Sequence, residues 1–128
     1  MARSFMLHEN ITERIIAAAI EVHRELGPGL LESVYSECLA HEMKAAGLKF
    51  EKEKDLPVRY KDVFIDCFFR MDFVVEDKII LEMKPVEKIL KVHEAQLLTY
   101  MKLSNIRVGL LMNFNSEILK NGIKRFIL

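Results

Sequence analysis

The sequence predicts one α/β domain with a mixed central β-sheet flanked by helices. Three observations carry that expectation. Two stretches with helical periodicity open the chain, a series of strand-like segments comes next, and one further helix separates that series from two closing strands. At 128 residues, 51% of them hydrophobic, the chain is long enough for one real core and too short for two ordinary domains. Residues 1–128 are therefore read as a single domain, with 1–9 as a flexible N-terminal extension.

Asn10 followed by Glu13 resembles a capping box, and Ile11, Ile15, Ala18, Val22 and Leu26 recur at helical spacing, so a first helix is expected from about Ile11 to Leu26. Gly27, Pro28 and Gly29 break it. Leu31, Val34, Tyr35, Cys38, Leu39 and Met43 then suggest a second helix closing near Gly47, with Glu32 in its first turn. Strand-like segments lie at Leu48–Phe50, Leu56–Tyr60 and Val63–Phe69, and a hairpin from Asp72 to Lys84 continues the sheet up to Pro85. Val92–Leu103 reads as a helix with Leu97, Leu98 and Met101 facing the core and His93, Gln96 and Tyr100 on another face. Ile106–Met112 is an apolar strand and Asn113–Asn115 a turn. Ser116–Asn121 makes one helical turn, and Ile123–Ile127 is the last strand.

The hairpin is the most informative stretch. Phe73–Val75 and Ile79–Leu81 flank the polar break Glu76-Asp77-Lys78. With Asp77 centring the turn, Asp72 faces Glu82, and Phe73, Val75, Ile79, Leu81 and Met83 form one apolar face. A slip of one residue would set Asp72 opposite Leu81 and strand hydrophobics against charges. Facing carboxylates repel unless something positive lies between them. Alternation puts Lys84 on the Glu82 face, so a hydrated divalent ion beside a cation resolves the arrangement. The plainer reading is a set of solvent-facing strand-end charges.

Composition excludes several classes. Nineteen basic residues balance nineteen acidic ones, so no global basic field marks a nucleic-acid binder and any such contact must be local. No apolar run is long enough to span a bilayer, and His8 and Glu9 interrupt any signal-peptide core. Cys38 and Cys67 share neither a short motif nor a secretory context. Both are expected to be small core residues of a reduced, cytoplasmic protein. His93-Glu94 begins an HExxH pattern, but Leu97 stands in place of the second His. Glu32 occupies the third glycine position of a GxGxxG run begun at Gly27.

Gly29-Leu30-Leu31-Glu32-Ser33-Val34-Tyr35 is a GxxExxY motif. With the LPVRYK strand, the D…ExK hairpin, the VHEAQLLTY helix and the GLLMNF strand in order, the chain resembles the GxxExxY family of the PD-(D/E)xK nuclease superfamily from about Asn10 to the C-terminus. The resemblance implies a restriction-endonuclease-like fold. It makes Asp72 the central metal-binding acid and Glu82 with Lys84 the ExK element, with Met71 where the superfamily name has Pro. Gln96 and Tyr100 look like the QxxxY element of RecB-like exonucleases, and Glu32 matches the acid many members carry on the helix before the sheet.

The resemblance thus implies Asp72, Glu82, Lys84, Glu32 and Gln96 as catalytic residues, and Tyr100, Tyr35 and His93 as substrate-positioning ones. Asp72, Glu82 and the Met83 main-chain carbonyl would hold Mg²⁺ or Mn²⁺, with Glu32 acting through a water. Lys84 would orient the attacking water and offset phosphorane charge. Each secondary residue has a plainer alternative. Glu32 suits a helix dipole, and Gln96 with Tyr100 could be a hydrogen-bonded pair at the core's edge. Tyr35 could anchor a neighbour through its hydroxyl, and His93 could be a helix-surface residue. The expected function is metal-dependent hydrolysis of DNA or RNA, and the alternative is an inactive nuclease-fold module binding nucleic acid or protein. A homodimer or a larger protein partner is the expected source of extra recognition surface.

Overall fold

The computed structural model describes residues 6–128. Helices α1 (Glu9–Leu26) and α2 (Glu32–Ala45) lead into strands β1 (Phe50–Tyr60), β2 (Val63–Val75) and β3 (Ile79–Lys84). Helix α3 (Lys91–Ser104), β4 (Val108–Asn113), a 3-10 turn (Leu119–Gly122) and β5 (Ile123–Ile127) complete the order. The strands form one sheet in sequence order. β3 and β4 run parallel while the other neighbours are antiparallel, and α3 is the crossover that parallel pairing requires.

Both sheet faces are covered at the centre. On one side Ile15, Val22, Tyr35, Leu39 and Met43 of α1 and α2 pack with Phe73, Val75, Ile79, Leu81 and Met83. On the other, Leu97, Tyr100 and Met101 of α3 pack with Met71, Val74, Ile80 and Leu111. Ile79–Leu81 of β3 and Val108–Met112 of β4 are buried, which is why they read as unbroken apolar runs. At Gly109, in β4, α3 comes so close that a Cβ would sit 2.8 Å from the Met101 sulfur.

Several boundaries depart from expectation. α1 begins at Glu9 after His8 in a left-handed conformation, with no side-chain cap, so Asn10 lies inside the helix and the Asn10–Glu13 capping box does not form. Leu56–Tyr60 belongs to one long β1 that starts at Phe50, and Val63–Phe69 runs without a break into Val75. The charged residues at positions 51 to 55 extend the strand because their side chains pair at the surface, Lys54 with Glu51 and Lys52 with Glu37. Cys38 packs against the core, but Cys67 is exposed, because the first part of β2 projects past the covering helices. Of the stretch 1–9, residues 1–5 lie outside the described residues, while Leu7 packs on the core and its carbonyl accepts a bond from Arg125. Among the described residues no helix is long and apolar enough to cross a membrane.

Candidate active site

The β2–β3 hairpin turns through Glu76 and Asp77, both at positive φ, with the Lys78 N–H donating to Val75 O at 3.0 Å. These are the left-handed values that match a hairpin's twist. The pairs Val75↔Ile79, Val74↔Ile80 and Phe73↔Leu81, continued one step, set Asp72 across from Glu82. There side chains replace the ladder. The Asp72 N–H donates to Glu82 Oε2 at 2.7 Å, and the Met83 N–H donates to Asp72 Oδ2 at 2.8 Å. Asp72 is also where β2 changes face: Phe69 and Met71 pack on the α3 side, Phe73 and Val75 on the α1/α2 side. That break in period-two alternation aims the carboxyl between strands instead of into either core.

A third acid arrives from α2. Its chain reverses at Gly27-Pro28-Gly29, and both glycines take positive φ. The fully buried Tyr35 locks this reversal: its hydroxyl donates to Gly27 O at 2.6 Å and accepts from the Leu30 N–H at 3.0 Å. This use of the hydroxyl differs from the substrate-positioning role expected from sequence. The Tyr35 ring stacks 4.7 Å from Phe114, and its hydroxyl is spent on the loop that delivers Glu32. Glu32 and Asp72 line a cleft of about 310 Å³ together with Ser33, Glu37, Lys52 and Glu53.

Glu53 is the residue sequence reasoning missed. It lies across β1 from Asp72, at the step absent between the Lys52↔Phe73 and Lys54↔Met71 pairs, with φ of 53°. A non-glycine residue in that region is uncommon. Counting back from the Lys61-Asp62 turn puts Glu51 opposite Asp72. Three β2 residues, Ile65–Cys67, lie against the single Val58, and that irregularity shifts Glu53 into place. Only the register would have found it.

The electrostatics arise from crowding acids in a partly dry place. Burial, reinforced by the Asp72 charge, pushes Glu82 up to about 8. Asp72 is raised by burial, against the Met83 N–H and the Lys84 charge, which lower it. Glu32 is raised by burial and then by Asp72, with which it interacts side chain to side chain. Lys84 acts on all three acids, yet among the described residues it forms no ion pair within 4 Å. Tyr100 is raised by burial and then by the charges of Glu82 and Asp72, against an interaction with the Gln96 side chain that lowers it, so α3 brings Tyr100 within electrostatic reach of the acids. His93 does something else: its Nδ1 accepts the Leu90 N–H at 3.0 Å and caps α3.

Among the described residues no group of three or more His, Cys, Asp or Glu side chains is already gathered around one ion position. The donor chemistry nonetheless fits a hard divalent cation. Asp72 and Glu82 each keep one carboxylate oxygen outside the two backbone bonds. Because the Met83 N–H is directed to the β2 edge, its carbonyl faces the same edge. Two carboxylates plus a main-chain oxygen are what Mg²⁺-type ions accept while retaining waters.

No curated protein and no solved structure matches the chain. A family model does match it, over residues 9–126, from the first residue of α1 into β5. That span contains β1 to β4 and most of β5, the Asp72–Glu82 pair and the covering helices, and the chain belongs to the PD-(D/E)XK nuclease superfamily.

Proposed function

We propose that the protein is a divalent-metal-dependent nuclease that hydrolyses phosphodiester bonds in DNA or RNA. The observation that carries this reading is the Asp72 and Glu82 pair facing across the splayed strand ends with the Lys84 charge acting on both. Superfamily membership supports it, since these nucleases generally depend on divalent metal. Mg²⁺ or Mn²⁺ is the ion the oxygen donors suit. When bound, the ion supplies Lewis acidity towards the phosphate and lowers the pKa of a bound water.

The remaining chemistry belongs to the chain. Asp72 and Glu82 would hold the ion through their free oxygens, with the Met83 carbonyl as the chain's further donor. Lys84, unpaired at close range, orients the attacking water and offsets charge building on the phosphate. Glu32 would act on the ion through a water, a role that the Tyr35 lock on its loop supports. Gln96 and Tyr100 hold the nucleic-acid backbone beside the acids, which favours a QxxxY role within the superfamily, as the Glu32 and Tyr35 spacing favours the GxxExxY group. Free Cys38 and Cys67 suit a reduced, cytoplasmic setting.

The test is cleavage of labelled single- and double-stranded DNA and RNA by the purified chain with Mg²⁺, Mn²⁺ or chelator. Metal-dependent products, lost in chelator and in Asp72→Ala, are expected. Absence of cleavage on every substrate, or cleavage surviving Asp72→Ala, overturns the reading.

A further inference from the structure

β1 and β2 are much longer than β3, so their hairpin leaves the body of the protein as a two-stranded arm. Ten consecutive residues, Arg59 to Phe68, are exposed. An isolated two-stranded hairpin is marginal in water, and strands normally bury at least one face. This arm buries neither. Tyr60, Val63, Phe64, Ile65 and Phe68 are 43–70% exposed. Phe64 and Phe68 share a face with Arg59 and Pro57, their cross-strand partners, while Tyr60 and Val63 share the other.

The arm also has open edges. β1 is an outer strand, and the pairing of β2 with β3 stops at Phe73, so the β2 edge from Val63 to Arg70 has no strand beside it among the described residues. An edge of that kind is a template for another strand.

The arm's chemistry selects among occupants. From Asp55 to Arg70 it carries Arg59, Lys61 and Arg70 against Asp55, Asp62 and Asp66. Arg59 pairs with Asp62 and Arg70 with Asp55, so the cations are largely neutralised within the arm. Phosphate binding calls for uncompensated positive charge, which this surface lacks. A neutral, internally paired, apolar surface is self-complementary, and twofold association requires that property of one patch. Phe64 and Phe68 offer roughly 250 Å² per copy on one face, and Tyr60 with Val63 roughly 200 Å² on the other. Laying one face of each arm on its partner buries roughly 500 Å² of side chain, and main-chain pairing along the two open β2 edges supplies the rest of the roughly 1,000 Å² a specific interface needs. We infer that the β1–β2 arm is the surface through which two copies of this chain associate, arm against arm about a twofold axis.

Sedimentation of the full chain from low to high micromolar concentration tests this without metal or substrate, so the result is independent of the hydrolysis reading. Wild type is expected to reach the mass of two chains. Phe64→Glu with Phe68→Glu, both at side chains already in solvent, is expected to keep the far-ultraviolet circular dichroism and weaken association at least tenfold. Phe64→Ser carries the same test with a smaller change. Cys67, on the arm, should react several-fold more slowly with a thiol reagent in the wild-type dimer than in the variant. Wild type that stays monomeric at every concentration overturns the proposal. So does a dimer unaffected by the arm substitutions, or an arm whose substitution abolishes binding of a single-stranded oligonucleotide by a monomer.

Discussion

Lys84 shows how a single side chain divides structure from chemistry. It influences Glu32, Asp72 and Glu82 electrostatically, but it is bonded to none of them at ion-pair distance, so removing it breaks no salt bridge. Lys84→Ala should therefore lower turnover by about 100-fold or more, the usual worth of a positioned proton-handling or charge-stabilising group, while metal affinity changes little. Parallel measurement of kcat and of Mn²⁺ binding checks this; a variant that cleaves as fast as wild type removes Lys84 from the chemistry. The Asp72 and Glu82 positions were legible in the sequence because the polar break at Glu76–Lys78 fixes the register and the apolar alternation around it admits only one face. Glu53 was illegible because its approach to Asp72 depends on the Ile65–Cys67 irregularity, and nothing in local composition marks extra residues in a strand. Glu53→Gln tests what the missed acid does: by removing a like charge that raises Asp72, it should ease ionisation of Asp72 and raise the metal-free melting temperature slightly, as thermal melts near neutral pH would record.

At the scale of elements, the connection between α1 and α2 sets where Glu32 stands. Helix periodicity foretold both helices, and the Gly27-Pro28-Gly29 run foretold the break. The role of Tyr35 was not readable, because a tyrosine one turn after an acid can face the cleft or the core with the same spacing. The structure puts it in the core, where its hydroxyl holds Gly27 O and the Leu30 N–H. Tyr35→Phe strips both partners of that bond while keeping the ring. It should destabilise the fold by about 1 to 2 kcal/mol, and activity should fall further than the lost stability explains, since the loop carrying Glu32 is no longer fixed. Equal activity per folded molecule, judged by chemical denaturation beside cleavage rates, would break the link between the lock and the site. The merging of short strand segments into long β1 and β2 was also hidden, because charged residues at positions 51 to 55 look like a loop until their surface pairing is seen.

Across the whole molecule, the acids couple stability to pH and, through the ion proposed for them, should couple it to metal. In the folded protein Glu82 is held at about 8, against 4.5 for an ordinary glutamate. Between those values the folded state keeps a proton that the unfolded chain has lost, so the contribution is full below about 4.5 and disappears as pH rises through about 8. One such proton is worth at most about 1.4 kcal/mol per pH unit, or roughly 3 to 8 °C of melting temperature per unit in a domain of this size. His8 works the other way, because burial and the charges of Lys78, Arg125 and Arg107 lower it, so its folded form gains stability as pH rises. The difference between wild type and Glu82→Gln isolates the glutamate. Metal-free wild type should lose stability relative to Glu82→Gln from about pH 5 to pH 8. A divalent ion takes the deprotonated acids, so its stabilising effect should grow over the same interval, and at about ten times its Kd it returns about 1.4 kcal/mol. Asp72→Asn, which relieves the repulsion on Glu82, should melt higher than wild type without metal and respond little to it. Melts across this window that run parallel in wild type and Glu82→Gln, with the same metal response in Asp72→Asn, would mean that these acids neither share a proton-holding site nor bind the ion.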